Sequence, residues 1–304
     1  MPHSLFIDIP ENFSFRSTIY SHGWCELAPF EIDLENWRLS YVFNEGKTRK
    51  PVGSSIFEEA GRLRIDLDRK PANEKKIVAD VRHLLRLDDD IGGFYESVAG
   101  HDRLDWVVER RAGRMLRSPT VFEDLVKTIC TTNCSWALTK IMVSNLVEKL
   151  GSVGTQAGSL RVKPPNRRRN AFPTPEAMAT VSEDFYRTEI KAGYRAPYFV
   201  ELAEAVAAGK LDPQNWLTSD LPTPELKKEM KKVKGVGDYA AENLLKLVGR
   251  YDGLALDSWL RSQFYKNHNK EKVCPDKKIE KHYKKFGKWR GLVIWCDMTE
   301  KWIN

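Results

Sequence analysis

Residues 231–245, KKVKGVGDYAAENLL, place two glycines one residue apart between two stretches of helical character. Glycine tolerates a positive φ and allows close backbone approach, so Gly235 and Gly237 predict a tight turn between two helices. The amides that begin the second helix can hold an anion, helped by the helix dipole. Three lysines that suit a phosphate flank the turn: Lys231, Lys232 and Lys234. The stretch predicts a hairpin that grips a nucleic-acid backbone without reading sequence; an ordinary corner of a helical domain is the alternative.

Asp257 follows the apolar segment GLAL and precedes SWLRSQF, a second helical stretch. An aspartate in this place can cap the next helix, and the helix dipole then stabilises its anionic form. A fixed carboxylate is also what glycoside chemistry needs beside a sugar that develops positive charge. Asp257 is therefore either a cap alone or a cap that also acts on a nucleotide sugar.

The positive charge of the chain is concentrated in its C-terminal segment. The whole chain has 49 Lys/Arg and 42 Asp/Glu, and residues 261–304 alone contain 12 Lys/Arg and 5 Asp/Glu, which accounts for the entire excess of +7. A localised basic surface is typical of contact with a phosphate backbone, although a solvated lysine-rich helix has the same composition. A smaller basic cluster comprises Arg161, Lys163, Arg167, Arg168 and Arg169.

Length and composition predict a folded protein of two or three compact domains, since the chain has 304 residues of which 41% are hydrophobic. No apolar run approaches the length of a membrane span, and the start MPHSLFIDIP lacks the pattern of a signal peptide. The five cysteines are scattered and form neither a metal-ligand set nor a disulfide framework. We expect a cytoplasmic or nucleoid protein, nuclear in a eukaryote, that has no membrane partner.

The secondary-structure pattern changes near residue 72. Before it, TIYSHGWCELAPF, WRLSYVFN and RLRIDLD are rich in β-branched and aromatic residues and predict strands. After it, apolar residues recur at helical spacing. Residues 151–173 lack that period and are rich in Gly, Ser, Pro and Arg, which predicts a loop. The fold class is therefore mostly α with a β-rich N-terminal domain (α+β): a domain over 1–72 and a helical body over 73–304.

Several segments together resemble the helix–hairpin–helix (HhH-GPD) DNA glycosylases, in the branch of the 3-methyladenine and 8-oxoguanine enzymes. Residues 231–245 resemble the family's hairpin and residues 252–258 its catalytic loop. FEDLVKTICTTNCSWALTKIMVSNLVEKLG resembles the helical segment that enters the DNA stack, and IKAGYRAPYFVELAEAVAAGKLD the segment after it. The resemblance spans about residues 20–300 and implies the HhH-GPD glycosylase fold, with an extra strand-rich N-terminal domain.

The resemblance implies a role for individual residues of this chain. Asp257 corresponds to the catalytic aspartate, and Asn133 and Tyr194 to side chains that fill the gap left by an extruded base. A helix-end cap for Asn133 and a core or turn aromatic for Tyr194 are the alternatives. The hairpin residues that would contact the DNA backbone are Lys234, Gly235, Val236, Gly237 and Tyr239. The family also implies no cofactor or catalytic metal, a monovalent cation at the hairpin, and a monomer that binds double-stranded DNA containing a damaged base.

Departures from the family's pattern shape the expected reaction. Tyr239 stands where bifunctional members have the lysine that forms a Schiff base with the sugar, so strand cleavage by that route is not expected. Neither Lys234 nor Lys246 holds the matching position. Ala255 replaces a proline that the family often has before the aspartate, which alters the expected loop geometry.

The base pocket departs from the 8-oxoguanine branch as well. Gly291 stands where that branch has a glutamine that reads the base edge, and Trp295 where it has a phenylalanine. Losing the amide and gaining a larger aromatic favours stacking, which suits an alkylated or cationic purine. Trp136 and Trp259 are further candidate walls, with core packing as the alternative for each tryptophan.

These observations leave three functions to weigh. The first is a monofunctional DNA glycosylase of base-excision repair, in which Asp257 supports attack by water on the sugar of a damaged base. The second is a bifunctional 8-oxoguanine glycosylase/lyase, favoured by ICTTN and AGYRA but opposed by Tyr239 and Gly291. The third is a non-catalytic hairpin protein that only binds DNA, which gains nothing from an anion beside phosphate.

Overall fold

A five-stranded antiparallel sheet forms the N-terminal part of the computed structural model, which describes residues 3–46, 49–156 and 168–302. The strand order is β1-β5-β4-β3-β2, so the first and last strands of this region pair with each other. Residues in β5 alternate between exposed and buried, as expected for a sheet with one face against a core. The strands are β1 His3–Asp8, β2 Glu31–Asp33, β3 Arg38–Phe43, β4 Val52–Glu59 and β5 Arg62–Leu67.

Two of the three predicted strands are confirmed, since WRLSYVFN contains β3 and RLRIDLD contains β5. The prediction for TIYSHGWCELAPF is wrong: the segment contributes to helix α1 (Phe15–Ile19) and to a 3₁₀ turn over Gly23–Glu26. The side chain of Ser14 caps α1 by accepting from the amide of Ser17. The apolar side chains of this segment are buried in the core without strand pairing, because β propensity measures fit to a half-buried surface and gives way to tertiary packing.

Helices make up most of the chain after the sheet, as the spacing of apolar residues predicts. Within the described residues they are α2 Glu74–Leu84, α3 Gly92–Val98, α4 Asp105–Glu109, α5 Val121–Thr131, α6 Trp136–Leu150, α7 Pro175–Met178, α8 Glu183–Thr188, α9 Ala196–Ala207, α10 Thr223–Met230, α11 Asp238–Leu247, α12 Ser258–His268, α13 Asp276–Tyr283 and α14 Arg290–Thr299. Across the described ranges, none of the helices has the length and apolar character needed to cross a membrane.

The segment 151–173 is not entirely a loop. Two short strands, β6 Val153–Gln156 and β7 Arg168–Asn170, pair antiparallel across it. The loop prediction is wrong there because backbone pairing of two short strands requires no apolar alternation in the sequence. Of the predicted basic cluster, Arg161, Lys163 and Arg167 lie outside the described residues, and Arg168 and Arg169 belong to β7.

The described residues form two separate hydrophobic cores. The first joins the inner face of the sheet to helices that include α2, α5, α6, α9 and α11, and the second lies among α3, α4, α12, α13 and α14. Residues 248–257 pass from the first core to the second, since Val248 belongs to one and Leu254 to the other. The predicted boundary at residue 72 follows the change in secondary structure, but the sheet shares its core with helices beyond that boundary.

Arg86 ties the end of α11 to the loop after α2. Its side chain has no exposed surface, and its Nη2 donates to the carbonyl oxygens of Lys246 and Leu247 at 2.7 and 2.5 Å. Its Nη1 donates to the carboxylate of Asp89 at 2.6 Å. The last carbonyls of a helix lack partners within the helix and carry partial negative charge, so a buried guanidinium there satisfies both needs.

A buried ion pair fixes α5 against the sheet. Lys127 Nζ lies 2.6 Å from Glu123 Oε1, and neither side chain is more than 3% exposed. The hydroxyl of Tyr41, in β3, donates to Glu123 Oε2 at 2.7 Å. Each buried charge therefore has a partner, which is the condition under which such a pair is tolerated in a core. The C-terminal end of α5 leads directly into the loop that contains Asn133.

Replacing Lys127 alone tests this arrangement. The Lys127→Met variant leaves the Glu123 carboxylate buried without its counter-ion, so we expect the free energy of unfolding to fall by about 3–5 kcal/mol. The double variant Lys127→Met/Glu123→Leu removes both charges and should recover much of that loss. Urea denaturation followed by circular dichroism measures both. A double variant as unstable as the single one would assign the loss to packing instead of charge.

Candidate functional site

The two hairpin glycines between α10 and α11 differ in backbone conformation and in the space around them. Gly235 has φ of +87°, and a Cβ added there would lie 2.7 Å from Cδ2 of Tyr198, so the fold itself requires glycine. Gly237 has φ of −85° and is the N-cap of α11. A Cβ added at Gly237 would have no neighbour within 4 Å. The second glycine thus leaves open space in front of the first amides of α11.

The hairpin lysines are paired in the free protein, but only at the surface. Lys234 Nζ contacts the carboxylate of Glu201, and both side chains are more than half exposed. Lys231 Nζ lies 3.0 Å from Asp238 Oδ1, in the first turn of α11. Exposed pairs of this kind contribute little stability, so an incoming anion can take over either lysine at small cost.

Asp257 caps α12, as the sequence predicts. Its Oδ1 accepts from the amide of Leu260 at 2.7 Å, and the residue is half-buried. The cap fixes the side chain at the end of the segment that crosses between the two cores. The carboxylate is therefore held in one orientation by the backbone of the helix that follows it.

Hydrogen bonds from the flanking helices hold the segment 251–257 along its length. The amide of Gly291 donates to the carbonyl of Tyr251 at 2.6 Å, and the guanidinium of Arg290 donates to the carbonyl of Asp252. Farther along, Lys246 Nζ donates to the carbonyl of Leu254 at 3.1 Å. The position of Asp257 thus depends on α11 and α14 as well as on its own helix.

Gly291 is glycine because the loop backbone lies directly against it. A Cβ there would be 1.9 Å from the carbonyl oxygen of Gly253 and 2.6 Å from that of Tyr251. Both neighbours are backbone atoms, which cannot move aside as a flexible side chain would. The departure from glutamine noted in the sequence therefore has a packing cause, since no side chain fits at this position.

Ala255 has a conformation that proline cannot adopt. Its φ is +53°, whereas the proline ring fixes φ near −65°. Its amide also donates to Oε2 of Glu242, a bond for which proline lacks the hydrogen. The loop therefore accommodates alanine at position 255 and would not accommodate proline there.

One cleft of about 690 Å³ gathers eight of the predicted site residues. It lies where the two hydrophobic cores meet, and the α5–α6 loop, the hairpin and the Asp257 segment form its walls. The predicted residues that line it are Asp257, Lys234, Gly235, Val236, Gly237, Tyr239, Asn133 and Tyr194. A helix N-terminus, a carboxylate and an exposed aromatic side chain thus share one open space.

Asn133 and Tyr194 lie together at the rim of this cleft. Asn133 Nδ2 lies 3.4 Å from the hydroxyl of Tyr194, which in turn lies 3.3 Å from the carbonyl of Thr132. Tyr194 is 46% exposed, which excludes a core aromatic, but it lies in the 3₁₀ turn Gly193–Arg195, so the alternative of a turn aromatic stays open. Thr132 is the C-cap of α5 and Ser135 the N-cap of α6, and Asn133 follows the C-cap with a left-handed φ of +46°, so a role at the helix end stays open beside the role at the rim.

Arg195, which was not among the predicted site residues, holds this rim in place. Its guanidinium carbon lies 4.4 Å from the centre of the Tyr194 ring, and its Nη2 donates to the carbonyl of Thr132. Only 3% of Arg195 is exposed. The signal was present in the GYRA turn, where the arginine directly follows Tyr194.

Tyr239 and Lys246 differ in their access to the cleft. Burial, with the nearby charge of Asp257, raises the pKa of the Tyr239 phenol to about 12, so it is neutral near pH 7 and a poor nucleophile. Burial lowers the pKa of the Lys246 amine to about 8, although the charges of Glu242 and Asp257 oppose the shift. Lys246 is 1% exposed and does not belong to the described lining of the cleft.

The three tryptophans proposed as pocket walls do not line this cleft. Trp136 lies against Gly23, and its Nε1 donates to Glu26 at 3.0 Å. Trp295 donates to the carbonyl of Ser21 at 3.0 Å. The ring of Trp259 lies 6.2 Å from that of Trp295 and 5.1 Å from that of Trp302, a residue the sequence analysis did not consider. A base pocket formed by these tryptophans stays a prediction.

A second cleft, of about 390 Å³, borders the same crossing segment at Gly249 and Tyr251. Arg117 lines it, and burial together with the charge of Arg86 lowers the pKa of that guanidinium to about 10. The rings of Tyr251 and Trp289 stack at 5.5 Å beside it. None of the predicted site residues lines this second cleft, so the geometry favours the Asp257 cleft as the functional one.

Substitutions at Ala255 test the loop geometry. Ala255→Gly relieves the left-handed strain and should keep or raise the free energy of unfolding by up to about 1 kcal/mol. Ala255→Pro should lower it by about 3 kcal/mol or more, because the ring fixes the wrong φ and removes the donor to Glu242. Denaturant unfolding measures both changes. Equal stability of the two variants would contradict the left-handed conformation.

Comparison with known proteins identifies the fold. No family model matches the chain, and no curated protein matches it significantly. Among solved structures, MBOgg1 in complex with a low-affinity DNA ligand is similar with a TM-score of 0.75 and 19% identity, over 98% of this chain and 96% of that one. The 8-oxoguanine glycosylase/lyase of Clostridium acetobutylicum in its apo form gives 0.73 and 21%, over 97% and 95%. The 3-methyladenine DNA-glycosylase of Archaeoglobus fulgidus gives 0.74 and 17%, over 98% of both chains. The chain therefore has the fold of the DNA glycosylases, and the resemblance seen in its sequence is confirmed at the level of the fold.

Proposed function

We propose that this protein is a DNA glycosylase of base-excision repair, which flips a damaged base out of duplex DNA and hydrolyses its N-glycosidic bond. The observation that carries the proposal is a cleft lined both by a capped carboxylate, Asp257, and by the N-terminus of α11. The names of the similar structures support it, since they are DNA glycosylases and one holds a DNA ligand. We propose that it acts as a monomer, as the resemblance implies.

Binding would begin with the DNA backbone. The open space at Gly237 lets a phosphate approach the first amides of α11, where the helix dipole favours an anion. Lys231 and Lys234 would exchange their surface partners for phosphate oxygens. The basic C-terminal segment adds long-range attraction, so the affinity should fall as the salt concentration rises. A monovalent cation at the hairpin carbonyls remains part of this proposal.

The flipped base would leave a hole in the duplex that must be filled. Asn133 and Tyr194 are at the cleft rim, and the guanidinium of Arg195 packs against the Tyr194 ring. Extruding a base costs a few kcal/mol, about the energy that stacking on an inserted aromatic ring returns. A poorly paired lesion costs less to extrude, which contributes to selectivity before the base reaches a pocket.

Asp257 would then act on the sugar. As the base departs, positive charge develops on the deoxyribose, and a fixed carboxylate beside it stabilises that charge. The amide of Leu260 holds the carboxylate from the α12 side. The bond to the base breaks with its electron pair leaving on the base, and water then adds to the cationic sugar carbon. The added water loses a proton to the Asp257 carboxylate, which leaves an abasic site and the free base.

We propose that the base is an alkylated purine. A side chain that reads a base edge cannot stand at Gly291, where the loop backbone fills the space. Trp259 and Trp295 lie outside the described lining of the Asp257 cleft, and their cluster would offer aromatic faces to a base that reaches beyond it. Such faces attract electron-poor or cationic rings. Of the similar structures, the one from Archaeoglobus fulgidus bears the name of an enzyme for an alkylated purine.

A glycosylase with lyase activity is the alternative, and Lys246 is the observation that favours it. Its amine has a pKa of about 8, so a fraction is uncharged near neutral pH and able to attack a sugar. Burial against the carbonyl of Leu254 opposes this role. The neutral phenol of Tyr239 stands in the cleft instead. A protein that only binds DNA is the third possibility.

A panel of damaged duplexes distinguishes these functions. Duplexes that contain 8-oxoguanine, an alkylated purine, hypoxanthine, uracil or thymine glycol are incubated with the protein and split into samples with and without hot alkali. We expect the alkylated purine to be excised and the strand to break only after alkali. Breakage without alkali, with a complex trapped by borohydride that disappears in Lys246→Met, would establish the lyase.

The matched control in this panel is Asp257→Asn. Asparagine caps a helix about as well as aspartate, so the fold and the DNA affinity should persist while the charge is lost. Excision should fall by at least about a hundredfold, as when a group that stabilises transition-state charge is removed. Unchanged excision by the variant would remove Asp257 from the mechanism.

The two hairpin glycines provide a second test. Gly237→Ala should weaken binding to duplex DNA about tenfold, because a hydrogen bond to a charged group contributes about 1.5–3 kcal/mol and the methyl group blocks the approach. Its fold should be nearly unchanged. Gly235→Ala should lower the free energy of unfolding by about 2 kcal/mol through its left-handed φ and its contact with Tyr198.

Fluorescence anisotropy with labelled duplex and denaturant unfolding measure the two effects in both variants. Binding by Gly237→Ala that equals the wild type would show that phosphate does not approach the start of α11.

A further inference from the structure

Three metal-ligating side chains from three helices converge at the C-terminal core, away from the Asp257 cleft. His268 is the last residue of α12, His282 lies in α13 and Asp297 in α14. Their ligand atoms all lie within 4.8 Å of one another. We propose that they form a Zn²⁺ site, which is independent of the proposed glycosylase activity.

The spacing suits tetrahedral zinc after a small adjustment. Zinc binds histidine nitrogen and carboxylate oxygen at about 2.0–2.2 Å, which places tetrahedral ligand atoms about 3.3 Å apart. His268 Nε2 and Asp297 Oδ2 are hydrogen-bonded at 2.7 Å, and all three ligand atoms lie within 4.8 Å of one another. An ion would move the first two atoms slightly apart and draw the wider-spaced ligand atoms closer together. His282 completes the set from the solvent side, and water takes the fourth position.

Two further side chains donate hydrogen bonds to the Asp297 carboxylate and hold it in place. The hydroxyl of Tyr283 donates to Asp297 Oδ2 at 2.6 Å, and Arg103 Nε donates to Oδ1 at 3.2 Å. Asp297 is only 5% exposed, so these bonds hold an anionic ligand in place inside the core. Outer hydrogen bonds of this kind orient the ligands of structural metal sites.

The histidine pair adds a second indication. The rings of His268 and His282 have centroids 4.5 Å apart, although the segment around them is rich in lysine. Each ring offers one nitrogen to the group of ligand atoms that lie within 4.8 Å of one another, so both imidazoles can bind the same ion. His282 is exposed, so an ion reaches the site from solvent without opening the core.

The place of the site gives it a structural consequence. Asp257 caps the first turn of α12 and His268 ends the same helix. An ion bound here would join the far end of α12 to α13 and α14. The carboxylate of the cleft would then stand on a helix held at both ends.

Zinc binding by the full chain, freed of any affinity tag and of metal by a chelator, tests the proposal. We expect about one Zn²⁺ per chain to remain after reloading and desalting, measured by elemental analysis, and the midpoint of thermal unfolding to rise by several degrees. The His282→Ala variant should bind zinc at least about tenfold more weakly, the loss that follows even when an outer partner of a ligand is removed.

His101→Ala is the matched control, since His101 packs on Phe286 in the same core without joining the cluster. It should bind zinc as the wild type does. Because His282 is exposed, its variant should fold, and its stability without metal should equal that of the wild type. A wild-type chain that retains no zinc, or equal affinity in His282→Ala, would leave the cluster as a hydrogen-bonded network and overturn the proposal.

Discussion

The close approach of α14 to the loop before α12 is the contact on which the site depends. Gly291 has no side chain, so the backbone of Tyr251 and Gly253 lies against the first turn of α14, and the Gly291 amide bonds to the Tyr251 carbonyl. This contact fixes the distance between α14 and the segment that leads to Asp257. Lys246 and Glu242 fix the same segment from α11. The position of Asp257 therefore depends on backbone packing several residues away, and the Leu260 amide then orients its carboxylate.

The hairpin helix α11 is the second fixed part of the site. Its N-terminus opens on the cleft at Gly237, and its C-terminal carbonyls are bound by the buried guanidinium of Arg86. Between these ends it contributes Ala240, Ala241 and Leu244 to the first core. One rigid helix thus connects the proposed phosphate contact to the segment that carries the proposed catalytic residue. The segment runs back along that helix, bonded to Lys246 at Leu254 and to Glu242 at Ala255, which brings Asp257 to the cleft at the N-terminus of α11.

The sequence predicted the local features of this site and missed those that depend on distant contacts. The glycine turn, the cap at Asp257 and the helical body follow from residues close together in the chain, and the structure confirms them. The strand predicted for TIYSHGWCELAPF is absent, and the segment begins in the helix Phe15–Ile19. Burial of its side chains in the first core overrides its β propensity. The packing at Gly291 and the hold of Arg195 on Tyr194 involve segments far apart in sequence. No spacing within one segment reveals such contacts, so the position of the tryptophans could not be predicted either.

The passage of residues 248–257 between two separate cores has a consequence for partial unfolding. The hairpin belongs to the first core, while Asp257 begins a helix of the second. Unfolding confined to the second core would displace Asp257 and leave the hairpin in place. On the proposed function, such a molecule would keep its contact with the phosphate backbone and lose the carboxylate that acts on the sugar.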